Sequence, residues 1–248
     1  MNLFRIPSAL LTGALMATMT LPAAADAIAD FYSGKQISLI IGYGTGGGYD
    51  LYARLLARFI GDHIPGKPTI VAQNMPGAGS RRAANWLYKV APKDGTVIAT
   101  LSQTTPIDQV LDQPGIQFDV QRFNWIGNMV VVNNIMFVSA ATGVRTIDDA
   151  KKKPLVIGST GASSPSVLYP QVSNNLFGTK FKIVSGYSGG ADINLAVERR
   201  EVDGLAVHEH PIEVEECCDH DGRLAAFYLG PGTRSSETIT ARVPQACP

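Results

Sequence analysis

Cysteine and histidine are scarce in this 248-residue chain and oddly placed. All three cysteines (Cys217, Cys218, Cys247) and three of the four histidines (His208, His210, His220) lie near the C-terminal end. Adjacent cysteines rarely bridge each other, and an odd number leaves a thiol over, so no disulfide framework is indicated. The spacing of these side chains matches no common zinc pattern, and Glu213, Glu215 and Glu216 between them suit a solvated segment, so neither metal nor cofactor is expected. Charge excess is missing too: 21 basic residues stand against 21 acidic ones, which leaves no bulk electrostatic case for nucleic acid. The one apolar run, residues 9–21, falls short of the roughly 20 residues that span a bilayer.

That run has another use. Arg5 precedes it and Pro22-Ala23-Ala24-Ala25 follows it with small residues suited to cleavage before Asp26, so residues 1–25 read as an export signal and the mature protein as periplasmic. The rest is long enough for two smallish lobes or one large α/β domain.

What the chain does have is glycine turns at strand ends. Leu39-Ile-Ile-Gly42 runs as an apolar strand into Tyr43-Gly-Thr-Gly-Gly-Gly48, and helical spacing follows from Asp50 to His63, with Leu51, Leu55, Leu56, Phe59 and Ile60 on the side expected to pack against a sheet. A turn opening a helix leaves backbone N–H groups unpaired at the positive end of the helix dipole, which favours an anion. The unit recurs. Thr69 to Ala72 reads as a strand, residues 74–80 as a second glycine turn with Ser80 as N-cap, Arg81 to Val90 as a helix, and Thr96 to Leu101 as a third strand ending in a polar loop at Ser102. Such β-α-β-α-β alternation predicts a parallel sheet covered by helices, with ligands at the carboxyl ends of the strands.

Residues 123–139 read as extended chain, after which the pattern restarts. A short capped helix from Thr146, a strand Leu155 to Gly158, a hydroxyl-rich turn at 159–164 with Pro165 as first helical residue, a strand Phe181 to Val184, a turn at 186–190 and a helix Ala191 to Arg199 make a second lobe. The expected organisation is lobe 1 over 26–125, lobe 2 over 126–204 and a separate tail over 205–248.

Enzyme motifs fare poorly. Gly42-x-Gly44-x-x-Gly47 fits the dinucleotide pattern, but Gln73-Asn74 stand where the ribose-binding acid belongs. No Gly-Lys-Ser or Gly-Lys-Thr follows the turn, and no Gly-x-Ser-x-Gly elbow is present. His63, at a helix end before Pro65, suits carbonyl capping better than base catalysis. Asp50 and Asp192 hold equivalent places after their glycine turns and suit helix starts better than general-base chemistry. No catalytic residue is therefore expected; a secreted α/β enzyme acting on a small anion is the alternative. The turns at 42–48, 74–80, 159–164 and 186–190 offer backbone N–H groups and hydroxyls from Tyr43, Thr45, Ser80, Ser159, Thr160, Ser163, Tyr187 and Ser188, converging on a small anion if two lobes face each other.

At these residues the sequence resembles the receptor family of tripartite tricarboxylate transporters, the Bug-type extracytoplasmic solute receptors. The resemblance covers about Asp30 to Gly204 and rests on Gly46-Gly-Gly-Tyr-Asp50-x-x-Ala53-Arg54, Asn74-Met-Pro-Gly-Ala-Gly79, Pro92-Lys-Asp-Gly-Thr96, and Gly186-Tyr-Ser-Gly-Gly-x-Asp192 leading to Glu201-Val-Asp-Gly204. It implies a two-lobed type II periplasmic binding protein fold and a monomer that closes on a small carboxylate and delivers it to membrane transporter subunits. The ligand-binding set it implies is Tyr43, Thr45, Gly46, Gly47 and Gly48, with Ser80 and Ser102, then Ser159, Thr160, Ser163, Tyr187, Ser188 and Gly189, with Asp50 and Asp192 capping helices nearby. Two features depart from the family. Arg81-Arg82 stand where smaller or neutral residues are usual; of adding positive charge near the cleft or facing solvent, the second is expected. After Gly204 no family continuation is recognisable, which predicts a shifted reading frame and an incomplete second lobe; the alternatives are a divergent short receptor and a receptor that no longer functions.

Overall fold

The computed structural model describes residues 23–130, 133–209 and 224–228. A helix α1 (Ala23–Tyr32) precedes strand β1 (Gln36–Ile41), helix α2 (Gly48–Ile60) and a 3-10 turn (Gly61–His63). Strand β2 (Thr69–Asn74), helix α3 (Arg81–Lys89) and strand β3 (Val97–Thr100) complete a first sheet of order β2-β1-β3, parallel throughout. This is the expected β-α-β-α-β unit. Its core is Leu39, Ile41 and Ala53, with Ala57, Ile70, Ala72 and Ile98 packed against them.

Two local expectations fail here. On α2, Ala53 and Ala57 face the sheet, whereas Leu51, Leu55 and Phe59 are about half exposed at 45%, 51% and 52%. Small residues let the helix sit close to the strands, and the larger apolar side chains are rotated outward. Ser80 does occupy the N-cap position of α3, yet it is left-handed (φ 81°) and its side chain caps nothing; its Oγ instead accepts the Ser102 N–H at 3.1 Å.

The chain crosses over by a segment that the periodicity missed: helix α4 (Thr105–Val110) and a 3-10 turn (Val120–Arg122). Residues 123–130 carry no regular structure and leave Trp125 and Ile126 exposed, so the extended stretch shortens to strand β4 (Asn133–Ser139). Helix α5 (Ile147–Lys152), strand β5 (Leu155–Ser159), helix α6 (Pro165–Phe177), strand β6 (Phe181–Ser185), helix α7 (Gly190–Glu198), strand β7 (Gly204–Glu209) and strand β8 (Leu224–Tyr228) follow. The second sheet has order β6-β5-β7-β4-β8 and is mixed: β5 runs parallel to β6 and β7, while β4 is antiparallel to β7 and β8. Its two faces are buried by separate clusters. Met136, Val138, Leu155 and Ile157 lie on one, and Ile135, Phe137, Ile193 and Leu205 on the other. Leu205 and Ala206 are buried, so the strand that starts at Gly204 carries core residues beyond it. Among the described residues no helix is long and apolar enough to cross a membrane.

Candidate functional site

The four turns meet in two facing pairs. The Gly44 N–H donates to the Ser188 carbonyl at 2.7 Å, and a Cβ on Gly47 would lie 3.2 Å from the Gly190 nitrogen. In the other pair, Gly161 (φ +141°) packs so tightly on Ala78 and Gly79 that a Cβ there would meet the Ala78 Cα at 2.7 Å. Glycine is required at both seams because backbone approaches backbone. Thr104 Oγ1 donates across the same seam to the Ser163 carbonyl.

Between the pairs lies a cavity of about 60 Å³. The first lobe contributes Tyr43, Gly47, Gly48 and Tyr49; the second contributes Thr160, Ser164, Pro165 and Ser166, with Gly190, Ile193, Leu205 and Ala206 closing the far side. This space suits a few heavy atoms and is far too small for a dinucleotide. Three helices begin at it: α2 with Gly47 as N-cap, α6 with Ser164 and α7 with Gly189, and none of the three has a side-chain cap. Away from the cavity, α5 is capped in full by Thr146 and Asp149. The N-cap side chains thus accept none of the first N–H groups of these helices, of which Pro165 at the head of α6 has none, and the positive ends of three dipoles gather at one space. Among the described residues, no histidine, cysteine, lysine, arginine or acid lines it.

Asp50 shapes the first turn from behind. Its carboxylate accepts the Gly46 N–H at 3.0 Å, Arg54 Nε at 3.0 Å and Asn74 Nδ2 at 2.7 Å, and Asn74 Nδ2 also donates to the Tyr43 carbonyl at 2.9 Å. Burial by itself would raise this carboxyl, but the hydrogen bonds from Arg54, Asn74 and Gly46 outweigh it and hold it below the usual aspartate value. An anion at the turn therefore meets N–H groups rather than a free acid. Asp192, at the matching place on α7, is exposed.

Tyr43 and Tyr49 stack with ring centroids 4.2 Å apart, and Tyr49 Oη accepts the Gln103 N–H at 3.2 Å. Burial, followed by the neighbouring Tyr49, pushes the Tyr43 phenol well up; burial also raises Tyr49. Both stay neutral donors at any ordinary pH. Among the described residues the buried Tyr43 hydroxyl makes no well-formed hydrogen bond, although Ser102 and Tyr49 lie close enough to influence it.

Of the residues picked from sequence, Tyr43, Gly47, Gly48 and Thr160 line the cavity. Ser188 and Gly189 form the seam with Gly44. Thr45 and Gly46 are exposed, and Gly46 spends its N–H on Asp50. Ser80 and Ser102 bond each other within the first lobe, and Ser102 Oγ lies 2.7 Å from Thr104 Oγ1. Ser159 is fully buried behind the second turn, sharing hydroxyl contacts with Ser164 and Ser166. Tyr187 packs on the second-lobe core, and Ser163 is buried with its hydroxyl near the Asp108 carboxylate. Ser164 closes the flagged turn 159–164, whereas Tyr49 and Ser166 were missed; each adjoins a flagged turn, and which side of the turn faces the cavity is set only by lobe packing. Arg81 is corrected from solvent to a covered position, where its Nη1 donates to the Pro114 carbonyl at 2.5 Å. Arg82 is exposed as expected. Among the described residues no group of histidine, cysteine and acid side chains could hold a metal; Cys217, Cys218, His210 and His220 lie outside the described residues, and nothing is described of the His208 side chain.

No protein-family model matches the chain. A relative from Cupriavidus necator, the UPF0065 protein in the gbd 5' region, is 33% identical over 145 residues, which is 56% of this chain and 43% of the relative. Among solved structures, MatC from Rhodopseudomonas palustris with bound malate superposes with a TM-score of 0.63 at 18% identity, over 70% of this chain and 60% of its own. The periplasmic binding protein BugD superposes with a TM-score of 0.56 at 16% identity, over 80% of this chain and 67% of its own. The chain thus spans less than half the length of the curated relative it matches. These likenesses bear out the resemblance to the Bug-type receptors and the two-lobed periplasmic binding protein fold.

Proposed function

We propose that the protein is a solute receptor of the periplasm that captures a small carboxylate between its lobes and delivers it to a membrane transporter of the tripartite tricarboxylate type. The observation that carries this reading is the convergence of three helix starts without side-chain caps, from both lobes, on one small cavity. Each helix start is worth roughly 0.3–1 kcal/mol toward an anion, so useful affinity needs all of them together, as happens only when the lobes close. The hydroxyl groups of Tyr43, Thr160, Ser164 and Ser166 add donors of the kind a carboxylate accepts. MatC, with the same fold, carries malate. Among the described residues, the serine and threonine hydroxyls of the lining have no histidine, lysine or acid beside them in the cavity. Residues 1–25 serve as the export signal, and the receptor works as a monomer.

The test is a thermal melt of the protein against small di- and tricarboxylates, amino acids and aromatic acids. A ligand at a hundred times its dissociation constant adds about 2.7 kcal/mol, which raises the midpoint by roughly 5–10 °C for a chain of this size. Selective stabilisation by one acid class supports the reading. A sharp melt that no acid moves, at concentrations up to tens of millimolar, overturns it.

A further inference from the structure

The cavity reads more of its ligand than one carboxylate. Beyond the turns and their hydroxyls its lining is carbon: Pro165, Ile193, Leu205 and Ala206, together with the stacked rings of Tyr43 and Tyr49. This wall has no room to retreat. Ile193 and Leu205 are 1% and 0% exposed and belong to the second-lobe core with Ile135 and Phe137. Ile193 packs so closely on Gly158 that a Cβ there would run into its Cγ2. The two seams, Gly44 on Ser188 and Gly161 on Ala78 and Gly79, bring backbone against backbone, so a ligand longer than the gap between them has to part the lobes.

Size and charge narrow the ligand further. A water-sized group needs about 10–15 Å³ of such a volume, so the cavity of about 60 Å³ accepts roughly four to six heavy atoms. Propionate and butyrate fall inside that range; succinate, glutarate and benzoate exceed it. A second carboxylate would press on the carbon wall with no cation of the described lining to meet it, and a buried charge left unpaired is costly. An α-ammonium group fares no better. No acid of the described residues lines the space, Asp50 is engaged by Gly46, Arg54 and Asn74, and Asp192 is exposed. We propose that the ligand of this cleft is a short aliphatic monocarboxylate of the size of propionate or butyrate, whose carboxylate meets the helix starts and whose carbon chain lies against Ile193 and Leu205; this rests on the carboxylate reading of the cleft.

The test is calorimetric titration of the full chain with a ladder of monoacids from acetate to hexanoate, and with succinate, alanine and benzoate; the short monoacids join the panel of the melt above. Each methylene that finds the wall is worth about a fourfold gain, so affinity should climb from acetate to butyrate and fall by hexanoate, which outruns the space. Butyrate should bind at least about a hundredfold more tightly than succinate. Leu205→Ala, which takes carbon out of the wall, should move the optimum to the longer acids. Should that variant fail to melt cooperatively, Ile193→Val takes its place and should raise the pentanoate-to-butyrate affinity ratio about twofold or more. Succinate, alanine or benzoate binding as tightly as butyrate overturns the monocarboxylate assignment and leaves carboxylate capture standing; so does a flat ladder, or an optimum that the folded variant leaves in place. A cooperatively melting wild type that binds none of these acids and none of the di- and tricarboxylates overturns both.

Discussion

The Gly44 N–H and the Ser188 carbonyl, 2.7 Å apart, join the first turn of one lobe directly to the last turn of the other. A Cβ on Gly44 would meet the Ser188 Cβ at 2.8 Å and its carbonyl carbon at 3.1 Å. Gly44→Ala should therefore hold the lobes apart, weakening carboxylate binding by about 1–3 kcal/mol, the usual cost of overpacking, while leaving the ligand-free melting midpoint nearly unchanged. Gly47→Val should act in the same direction through Gly190. Calorimetry gives the affinity, and solution scattering with saturating ligand shows whether closure is lost.

Tyr43→Phe separates a binding role from a structural one. Because the buried hydroxyl makes no well-formed hydrogen bond among the described residues, its removal should leave the ligand-free protein as stable or slightly more so, by up to about 1 kcal/mol. Carboxylate affinity should fall about tenfold, the worth of a hydrogen bond to a charged acceptor. A thermal melt with and without ligand reads both effects.

Ser80→Ala should do the reverse. The Ser80 hydroxyl, fully buried, is the acceptor for the Ser102 N–H, and deleting it leaves a buried donor unpaired. The expected loss is about 1–3 kcal/mol of stability, seen in denaturant unfolding, with ligand affinity of the folded protein held within about twofold.

Asp50 sets an acid limit. A carboxyl held below its unfolded value stabilises the fold fully above about pH 4, and that contribution is lost as the pH falls through the lower folded value. The melting midpoint should drop on acidification below about pH 4. Asp50→Asn should shrink that drop and cost about 1–3 kcal/mol at neutral pH, because Arg54 and the Gly46 N–H lose their anion. Melts from pH 3 to 7 on both proteins, at about one-unit steps, check it.

Much of this was legible in the chain. Glycine, serine and proline at strand ends marked all four turns, because a backbone that must bend sharply or touch another backbone leaves few choices of residue. The equivalent acids Asp50 and Asp192 were visible as a pair, but only contact with Arg54 and Asn74 makes Asp50 a keystone while Asp192 stays in solvent. The face of α2 was misjudged because periodicity counts apolar residues and not the room between helix and sheet, which here admits Ala53 and not Leu55. Arg81 stood out as an unusual charge after its turn, but its cover was not legible, since that is a loop some thirty residues downstream.

The strand order of the second sheet has a consequence for how the molecule comes into being. The three described strands of the first sheet are all present once Thr100 has emerged, so that sheet can form while the chain is still being delivered. In the second sheet the middle strand, β7, is also a late arrival: β4, β5 and β6 precede it, and β4 has no place beside β5 until β7 fills the gap. For the passage from Ser139 to Gly204 the half-made sheet holds two open borders, a period in which a chaperone would find most to grip.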